Sequence, residues 1–131
     1  MTARRQEYRV AGQAEPISHY TDAVRAGELL FVSGVVPVDG DGRLVGAGDV
    51  VEQARQVFRN IGAILAAAGG TMRDVAKVTV YVVDIADRAR INPVRQEVFG
   101  DVKPASTLVE VSALAVPGAL LEIEAVAVLP S

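Results

Sequence analysis

Cysteine is absent from this sequence of 131 residues, and histidine occurs once, at position 19. Without cysteine the chain has no disulfide, no thiolate nucleophile and no thiolate ligand for a metal. One histidine excludes a multi-histidine zinc site, and a lone loop histidine such as His19 is more often a polar contact than a catalyst. We therefore expect an intracellular, cytoplasmic protein that binds no metal.

Long apolar runs and a surplus of positive charge are also missing. No apolar run approaches the roughly 18 residues that suggest a membrane span, and the charged Arg4, Arg5 and Glu7 stand where a signal peptide would be apolar. The formal net charge is −3, whereas domains that bind a phosphate backbone usually carry a basic face. We expect neither a membrane nor a nucleic acid among the partners.

Aromatic residues make up only 5% of the chain, although 50% of it is hydrophobic. The core must then be built from valine, alanine, leucine and isoleucine. A length of 131 residues fits one domain, residues 1–131, with one core. Any broad apolar surface left exposed by such a small domain would indicate an oligomer.

The most informative stretch lies near the C-terminus, where two strands are predicted at 107–111 and 120–129 around a turn at Pro117 and Gly118. Side chains alternate across a strand, so the second strand has an entirely apolar face and a mixed face. The apolar face consists of Leu121, Ile123, Ala125, Ala127 and Leu129, and the mixed face of Leu120, Glu122, Glu124, Val126 and Val128.

Glu122 and Glu124 therefore stand among apolar neighbours. They either point to water at a sheet margin or are partly covered, and the composition of the mixed face favours cover. An unpaired carboxylate in such surroundings has its charged form disfavoured, which is how a general acid or base is made.

The N-terminal part of the chain predicts strands. Residues 8–10 form a short first strand, and residues 23–32 form a hairpin. Ser33 and Gly34 end that hairpin, and the glycine predicts a point where the backbone comes close to another group. Between the first strand and the hairpin, residues 11–20 are expected to be loop.

Two helices and a central strand follow. Asp49 and Glu52 form a capping pattern ahead of apolar residues at helical spacing, which predicts a helix that ends near Gly69. A nearly continuous apolar run predicts a strand over 75–85. Asn92 followed by proline is typical of a helix cap and first turn, so a short helix is expected to begin there. This order indicates an α+β domain with helices on one face of a mixed sheet.

Several segments resemble the Rid family of reactive-intermediate deaminases, the YjgF-like proteins. The segments are YTDAV (20–24), LFVSG (30–34), QARQVFRNI (53–61), AAAG (66–69), VAKVTVYV (75–82) and LEIEAVAV (121–128). The resemblance implies a chorismate-mutase-like α+β fold with two helices on one face of the sheet. It also implies a homotrimer around a central barrel, with clefts between subunits that hydrolyse enamines and imines of small molecules without a cofactor.

The resemblance also implies site residues. Glu122 matches the acid that orients or activates water, and Tyr20 matches the phenol near the substrate, so both are expected to be catalytic. The remaining cleft positions, expected to bind substrate, are Ser33, Gly34, Asn92, Ser106, Thr107 and Leu108.

Two of these positions depart from the family pattern. Deaminases with imino-acid activity carry an arginine after Pro-Ala that grips the substrate carboxylate, whereas Ser106 follows Pro104 and Ala105 here. One neutral hydroxyl does not replace a bidentate guanidinium–carboxylate pair. Leu108 stands where those enzymes often carry a cysteine.

Three functional interpretations follow from the sequence. The first is an enamine or imine hydrolase whose substrate differs from the usual small imino acids. The second is a catalytically silent trimeric protein that binds a ligand or regulates. The third, an endoribonuclease, ranks last because the chain has neither a basic track nor a pair of histidines for acid–base work on a phosphodiester.

Overall fold

A computed structural model describes residues 4–131 and shows one six-stranded sheet with two α-helices. The strands lie in the order β1-β2-β3-β6-β4-β5, and β4 and β5 are parallel while the other neighbours are antiparallel. The α+β class and mixed sheet predicted from the sequence are thus confirmed. The elements are β1 (Arg5–Tyr8), β2 (Ala23–Ala26), β3 (Leu29–Val35), α1 (Val50–Ala67), β4 (Val75–Val82), α2 (Arg88–Phe99), β5 (Ala105–Glu110) and β6 (Leu121–Val128).

Strand β6 lies inside the sheet, between β3 and β4. Its apolar face is buried as predicted, and Leu121, Ile123 and Ala127 have no exposed surface. Helix α1 packs on β3 and β6, and α2 packs beside α1 with Phe99 edge-on to Phe58 at 5.7 Å between ring centroids. The core therefore lies between the helices and one face of the sheet.

Helix α1 begins as predicted at its Asp49 cap. One carboxylate oxygen of Asp49 accepts hydrogen bonds from the backbone amides of Val51 (3.1 Å) and Glu52 (3.2 Å). These amides have no partner inside the helix, so the side chain fixes the first turn. Gly69, at a φ of 85°, follows the helix and turns the chain back toward the sheet.

The predicted start of α2 is wrong. The helix begins at Arg88, directly after a 3₁₀ turn at Ile85–Asp87, and both Asn92 and Pro93 lie inside it. Asp84 stabilises the 3₁₀ turn by accepting from the amide of Ala86 at 2.9 Å. The proline costs one helical hydrogen bond, but its fixed φ suits a helix.

Several strand boundaries also differ from the prediction. Strand β3 continues through Ser33 and Gly34 to Val35 instead of ending there, and β5 covers Ala105–Glu110 instead of 107–111. Strand β4 ends at Val82 rather than at residue 85, because the 3₁₀ turn takes over. Strand β1 covers Arg5–Tyr8 rather than 8–10, because the amide of Val10 donates to the Asp22 carboxylate (2.7 Å) and leaves the ladder.

The second face of the sheet is not covered by either helix. Leu29, Phe31 and Val128 are 39%, 46% and 44% exposed on it, and Leu29 lies opposite Val128 across β3 and β6. Within the described residues, 4–131, strand β5 pairs with β4 alone, so no strand lies along its outer edge. Within the residues that the structure describes, no helix is long and apolar enough to cross a membrane.

Gln53 connects helix α1 to the segment that leads into β6. It is fully buried, its amide nitrogen donates to the carbonyls of Gly46 and Gly118 (both 3.1 Å), and its oxygen accepts from the amide of Leu120 (2.7 Å). Three backbone groups, from two segments far apart in sequence, thus depend on one side chain. Such a residue stabilises the fold mainly because its loss leaves buried groups unpaired.

We predict that Gln53→Leu lowers the free energy of unfolding by about 2–4 kcal/mol, since the volume is kept while three backbone groups lose their partner. Chemical denaturation at fixed protein concentration measures this. Gln96→Leu, at an exposed position of α2, is the matched control and should change stability by less than about 0.5 kcal/mol. Equal stability of the two variants would contradict the assignment.

Candidate functional site

An open cleft of about 380 Å³ lies where the 13–20 loop passes the ends of β3 and β6. Four of the eight predicted site residues line it: Tyr20, Ser33, Gly34 and Glu122. Ile17 and Tyr20 are 64% and 47% exposed at its rim. The cleft thus combines one carboxylate and one phenol with apolar and backbone surface.

A β-bulge in β3 shapes this cleft. From the pair Val32–Ala125 to the pair Val35–Ile123, β3 advances by three residues while β6 advances by two. Strand β3 therefore has one extra residue here. The extra residue brings Gly34 against the side chain of Glu122. A Cβ atom at position 34 would lie 2.9 Å from Cδ of Glu122 and would overlap its carboxylate oxygen. The close approach predicted for Gly34 is confirmed, and Glu122 is the group it approaches.

Glu122 is half-buried, and across residues 4–131 no donor is hydrogen-bonded to its carboxylate. Burial raises the pKa of Glu122, and the negative charge of Glu124 raises it further. The expected cover is therefore confirmed for Glu122. An acid that is partly desolvated and unpaired inside a cleft is a strong candidate for proton transfer.

Glu124 has a different environment from Glu122. It is exposed, so the expectation of cover is wrong for this residue, and its carboxylate accepts from the Tyr81 hydroxyl at 2.6 Å. That hydrogen bond to a carboxylate is the main reason that the pKa of Tyr81 is raised. Two neighbouring acids thus differ: Glu124 is hydrogen-bonded and exposed, whereas Glu122 is partly desolvated and lacks a hydrogen-bond donor among the described residues.

The loop that carries Tyr20 is held by an ion pair that the sequence did not reveal. Asp22 is buried and accepts from Arg9 Nη1 at 2.7 Å, while Arg9 Nη2 donates to the carbonyls of Gln13 (2.9 Å) and Ala14 (3.0 Å). The Ser33 hydroxyl donates to the carbonyl of residue 21 at 2.6 Å, so it also supports the loop. An aspartate two residues after Tyr20 was the only signal available in the sequence.

The other four predicted site residues lie outside this cleft. Asn92 is on α2, and Ser106, Thr107 and Leu108 are on the edge strand β5. Ser106 and Leu108 share the helix side of the sheet, whereas Thr107 faces the open side and accepts from Lys77 Nζ at 2.7 Å. One copy of the chain therefore separates the predicted residues into two groups at different places on the sheet.

Arg95 was also missed by the sequence reasoning. It lies on α2, and its Nη2 donates to the Ser106 hydroxyl at 2.7 Å. The position that lacks an arginine in the strand thus has a guanidinium beside it from the helix. Its spacing of three residues after Asn92, which places both on one helix face, was the available signal.

The comparisons with known proteins agree with this geometry. A family model described as endoribonuclease L-PSP matches residues 11–129. A RutC family protein of Pyrococcus horikoshii is 48% identical over 113 residues, which cover 86% of this chain and 89% of that protein. The 3-aminoacrylate deaminase RutC of Acinetobacter baylyi is 38% identical over 116 residues, covering 88% and 91% of the two chains.

Solved structures give the same result for the fold. The structure of YyfA from Yersinia pestis, described as a member of the conserved Rid protein family, superimposes with a TM-score of 0.89 at 35% identity. The match covers 95% of this chain and 99% of that one. The resemblance noted in the sequence therefore extends over nearly the whole chain.

We predict that Glu124→Gln lowers the pKa of Glu122, because the nearby negative charge is removed, but leaves it above the ordinary glutamate value, because burial remains. A ¹³C NMR titration of the side-chain carboxyls measures this. Glu97→Gln on the exposed surface of α2 is the control and should leave the Glu122 titration unchanged. An ordinary glutamate pKa for Glu122 in the wild-type protein would contradict the account.

The same shift has a consequence for stability with a definite sign. Because the pKa of Glu122 is raised in the folded state, this residue contributes to the free energy of unfolding when the pH lies below its unfolded-state pKa. That contribution is lost as the pH rises through its folded-state pKa. Glu122→Gln should thus be more stable than wild type at neutral pH, and the difference should vanish in acid.

Proposed function

Since this chain belongs to the endoribonuclease L-PSP family, which includes the Rid and RutC proteins, we propose that it hydrolyses reactive enamines and imines to carbonyl compounds and ammonia. Glu122 transfers protons in the reaction, and Tyr20 lies beside the substrate. The active form is a homotrimer in which a second copy completes the cleft, and no cofactor takes part.

The observation that supports this proposal most strongly is the state of Glu122. Its carboxylate is half-buried, lacks a donor among the described residues and has a pKa raised by burial, so its protonated form is favoured relative to that of an exposed glutamate. A carboxyl group with a raised pKa inside a cleft suits general acid–base catalysis. A carboxylate with a purely structural role would be expected to have hydrogen-bond partners.

The reaction needs little beyond a positioned water and one such acid. Water attacks the imine carbon, a C–O bond forms, and the C=N π electrons move to nitrogen, while Glu122 takes a proton from water and passes one to nitrogen. The C–N bond of this carbinolamine then breaks as the oxygen forms a C=O bond, and ammonia leaves. The sum is R₂C=NH + H₂O → R₂C=O + NH₃, and an enamine enters after protonation of its carbon.

Assembly supports the same proposal. The uncovered sheet face exposes three large apolar side chains, Leu29, Phe31 and Val128, and among residues 4–131 no strand pairs with the outer edge of β5. Packing of three such faces around an axis would bury this surface. It would also bring the β5 and α2 residues of one copy toward the Glu122 cleft of another.

The substrate is proposed to differ from the usual small imino acids, because Ser106 stands where those deaminases carry an arginine. The RutC relative is named for 3-aminoacrylate, an enamine whose nitrogen is on the third carbon. A substrate of that kind places its carboxylate one bond farther from the reacting carbon than a 2-imino acid does. An endoribonuclease is not proposed, since His19 is the only histidine and the net charge is −3.

We predict that Glu122→Gln lowers the rate of imine or enamine hydrolysis by about 10²-fold or more, because the ionisable group is lost at nearly constant shape. The assay reads ammonia release above the spontaneous rate, with imines made in situ by amino-acid oxidases. Glu124→Gln is the matched control for charge, since it lies on the same strand face, and it should retain most of the rate.

Two results would refute the hydrolase. One is a broad panel of imines and enamines in which the wild-type protein accelerates none. The other is an accelerated substrate for which both glutamine variants match the wild type. A silent ligand-binding trimer would then be the better description.

A further inference from the structure

Arg95 holds an unusual place among the cations of this chain. It is half-buried between helix α2 and strand β5, and its hydrogen bond is to a neutral hydroxyl, that of Ser106 at 2.7 Å. A guanidinium has five N–H donors, so most of the donors of Arg95 remain available. The Ser106 hydroxyl fixes the orientation of the group without neutralising its charge.

The charge of Arg95 has no counterpart nearby. Within residues 4–131 no carboxylate lies within ion-pair distance of it, and burial alone lowers its pKa. Arg90 on the same helix lies 3.7 Å from the Asp87 carboxylate and is exposed, which is the common arrangement. A half-buried cation without a negative partner is costly unless an anion from elsewhere binds to it.

The neighbours of Arg95 indicate where such an anion would bind. Asn92 lies one turn earlier on α2, and Leu108 lies two residues after Ser106 on the same side of β5. This group offers a cation, an amide, a hydroxyl and an apolar side chain. Three of its members, Asn92, Ser106 and Leu108, are among the four predicted site residues that a single chain leaves outside the Glu122 cleft.

We propose that Arg95 is the anion-binding residue of the completed cleft and that it holds the carboxylate of the substrate. The substrate is then an enamine or imine that carries a carboxylate, an assignment that rests on the proposed function. The cation comes from the helix instead of strand position 106, so the substrate anion binds through a different element from the one expected from the sequence. The loss of the strand arginine at Ser106 therefore does not leave the cleft without a cationic anchor.

Binding of a simple carboxylate tests this without requiring catalysis. The probe is 3-oxobutyrate, with 2-butanone as its neutral analogue, and binding is followed by NMR shifts or calorimetry. Arg95→Gln should weaken 3-oxobutyrate binding by about 10-fold or more, and Arg95→Lys should restore it only in part, because an ammonium does not form the bidentate pair. Arg88→Gln, an exposed arginine of the same helix, should bind as the wild type does.

Kinetics provides the second readout. With 3-aminoacrylate, Arg95→Gln should raise KM by about 10-fold or more with a smaller change in kcat, whereas a neutral imine should show no change in KM. Loss of packing alone would affect both substrates equally. Ser106→Ala should give a smaller increase in KM, because it loosens the guanidinium without removing it.

The outcomes separate this inference from the proposed function. If 3-oxobutyrate binds through Arg95 but no substrate is hydrolysed, the anion site stands and the hydrolase fails. If hydrolysis depends on Glu122 but Arg95→Gln changes neither the affinity for 3-oxobutyrate nor the KM for the aminoacrylate substrate, the anion site fails. Absence of 3-oxobutyrate binding to the wild-type protein would also overturn it.

Discussion

The structure depends on one constraint: a single sheet receives both helices on the same face. The alternation along β6 expresses this directly, since Leu121, Ile123 and Ala127 are buried under the helices while Glu122 and Glu124 face the other way. A strand apolar on nearly every residue requires cover on both sides. In the part of the chain that the structure describes, the helices cover one face, and the second face is left for another copy in the proposed assembly.

The candidate site uses this constraint. The bulge in β3 brings a residue without a side chain, Gly34, against Glu122, and the Glu122 carboxylate occupies the space. A half-buried, unpaired acid destabilises the folded state at neutral pH, so other interactions have to hold the surrounding segments in place. The ion pair of Arg9 with Asp22 holds the loop on one side of the cleft, and the buried hydrogen bonds of Gln53 hold the segment that leads into β6, the strand of Glu122.

Features with a local cause could be predicted from the sequence. The Asp49 cap, the two faces of β6 and the close approach at Gly34 each follow from a few neighbouring residues, and all three are observed. The predicted start of α2 is wrong because an asparagine followed by a proline is typical of a helix start. Nothing in those two residues shows that the helix has already begun at Arg88. Cover of Glu124 was wrongly expected because the strand pattern does not tell how far a neighbouring loop extends.

The pairings across the sheet could not be predicted. Arg9 and Asp22 are 13 residues apart, and Arg95 and Ser106 are 11 apart on different elements. Their meeting depends on strand order and helix placement, which no local pattern encodes. The division of the predicted site residues into two groups has the same origin, since it appears only when β5 is seen at the edge of the sheet.

Subunit mixing tests whether one active cleft takes residues from two copies. Glu122→Gln impairs the half of the cleft that carries the acid. Asn92→Trp, at an exposed position of α2, obstructs the half that α2 and β5 of another copy are proposed to supply. If the two variants are unfolded and refolded together in equal amounts, about one quarter of the clefts receive two native halves. The account predicts about one quarter of the wild-type rate from two nearly inactive parents, in a particle with the mass of three chains. No recovery of activity, or the mass of a single chain, would contradict it.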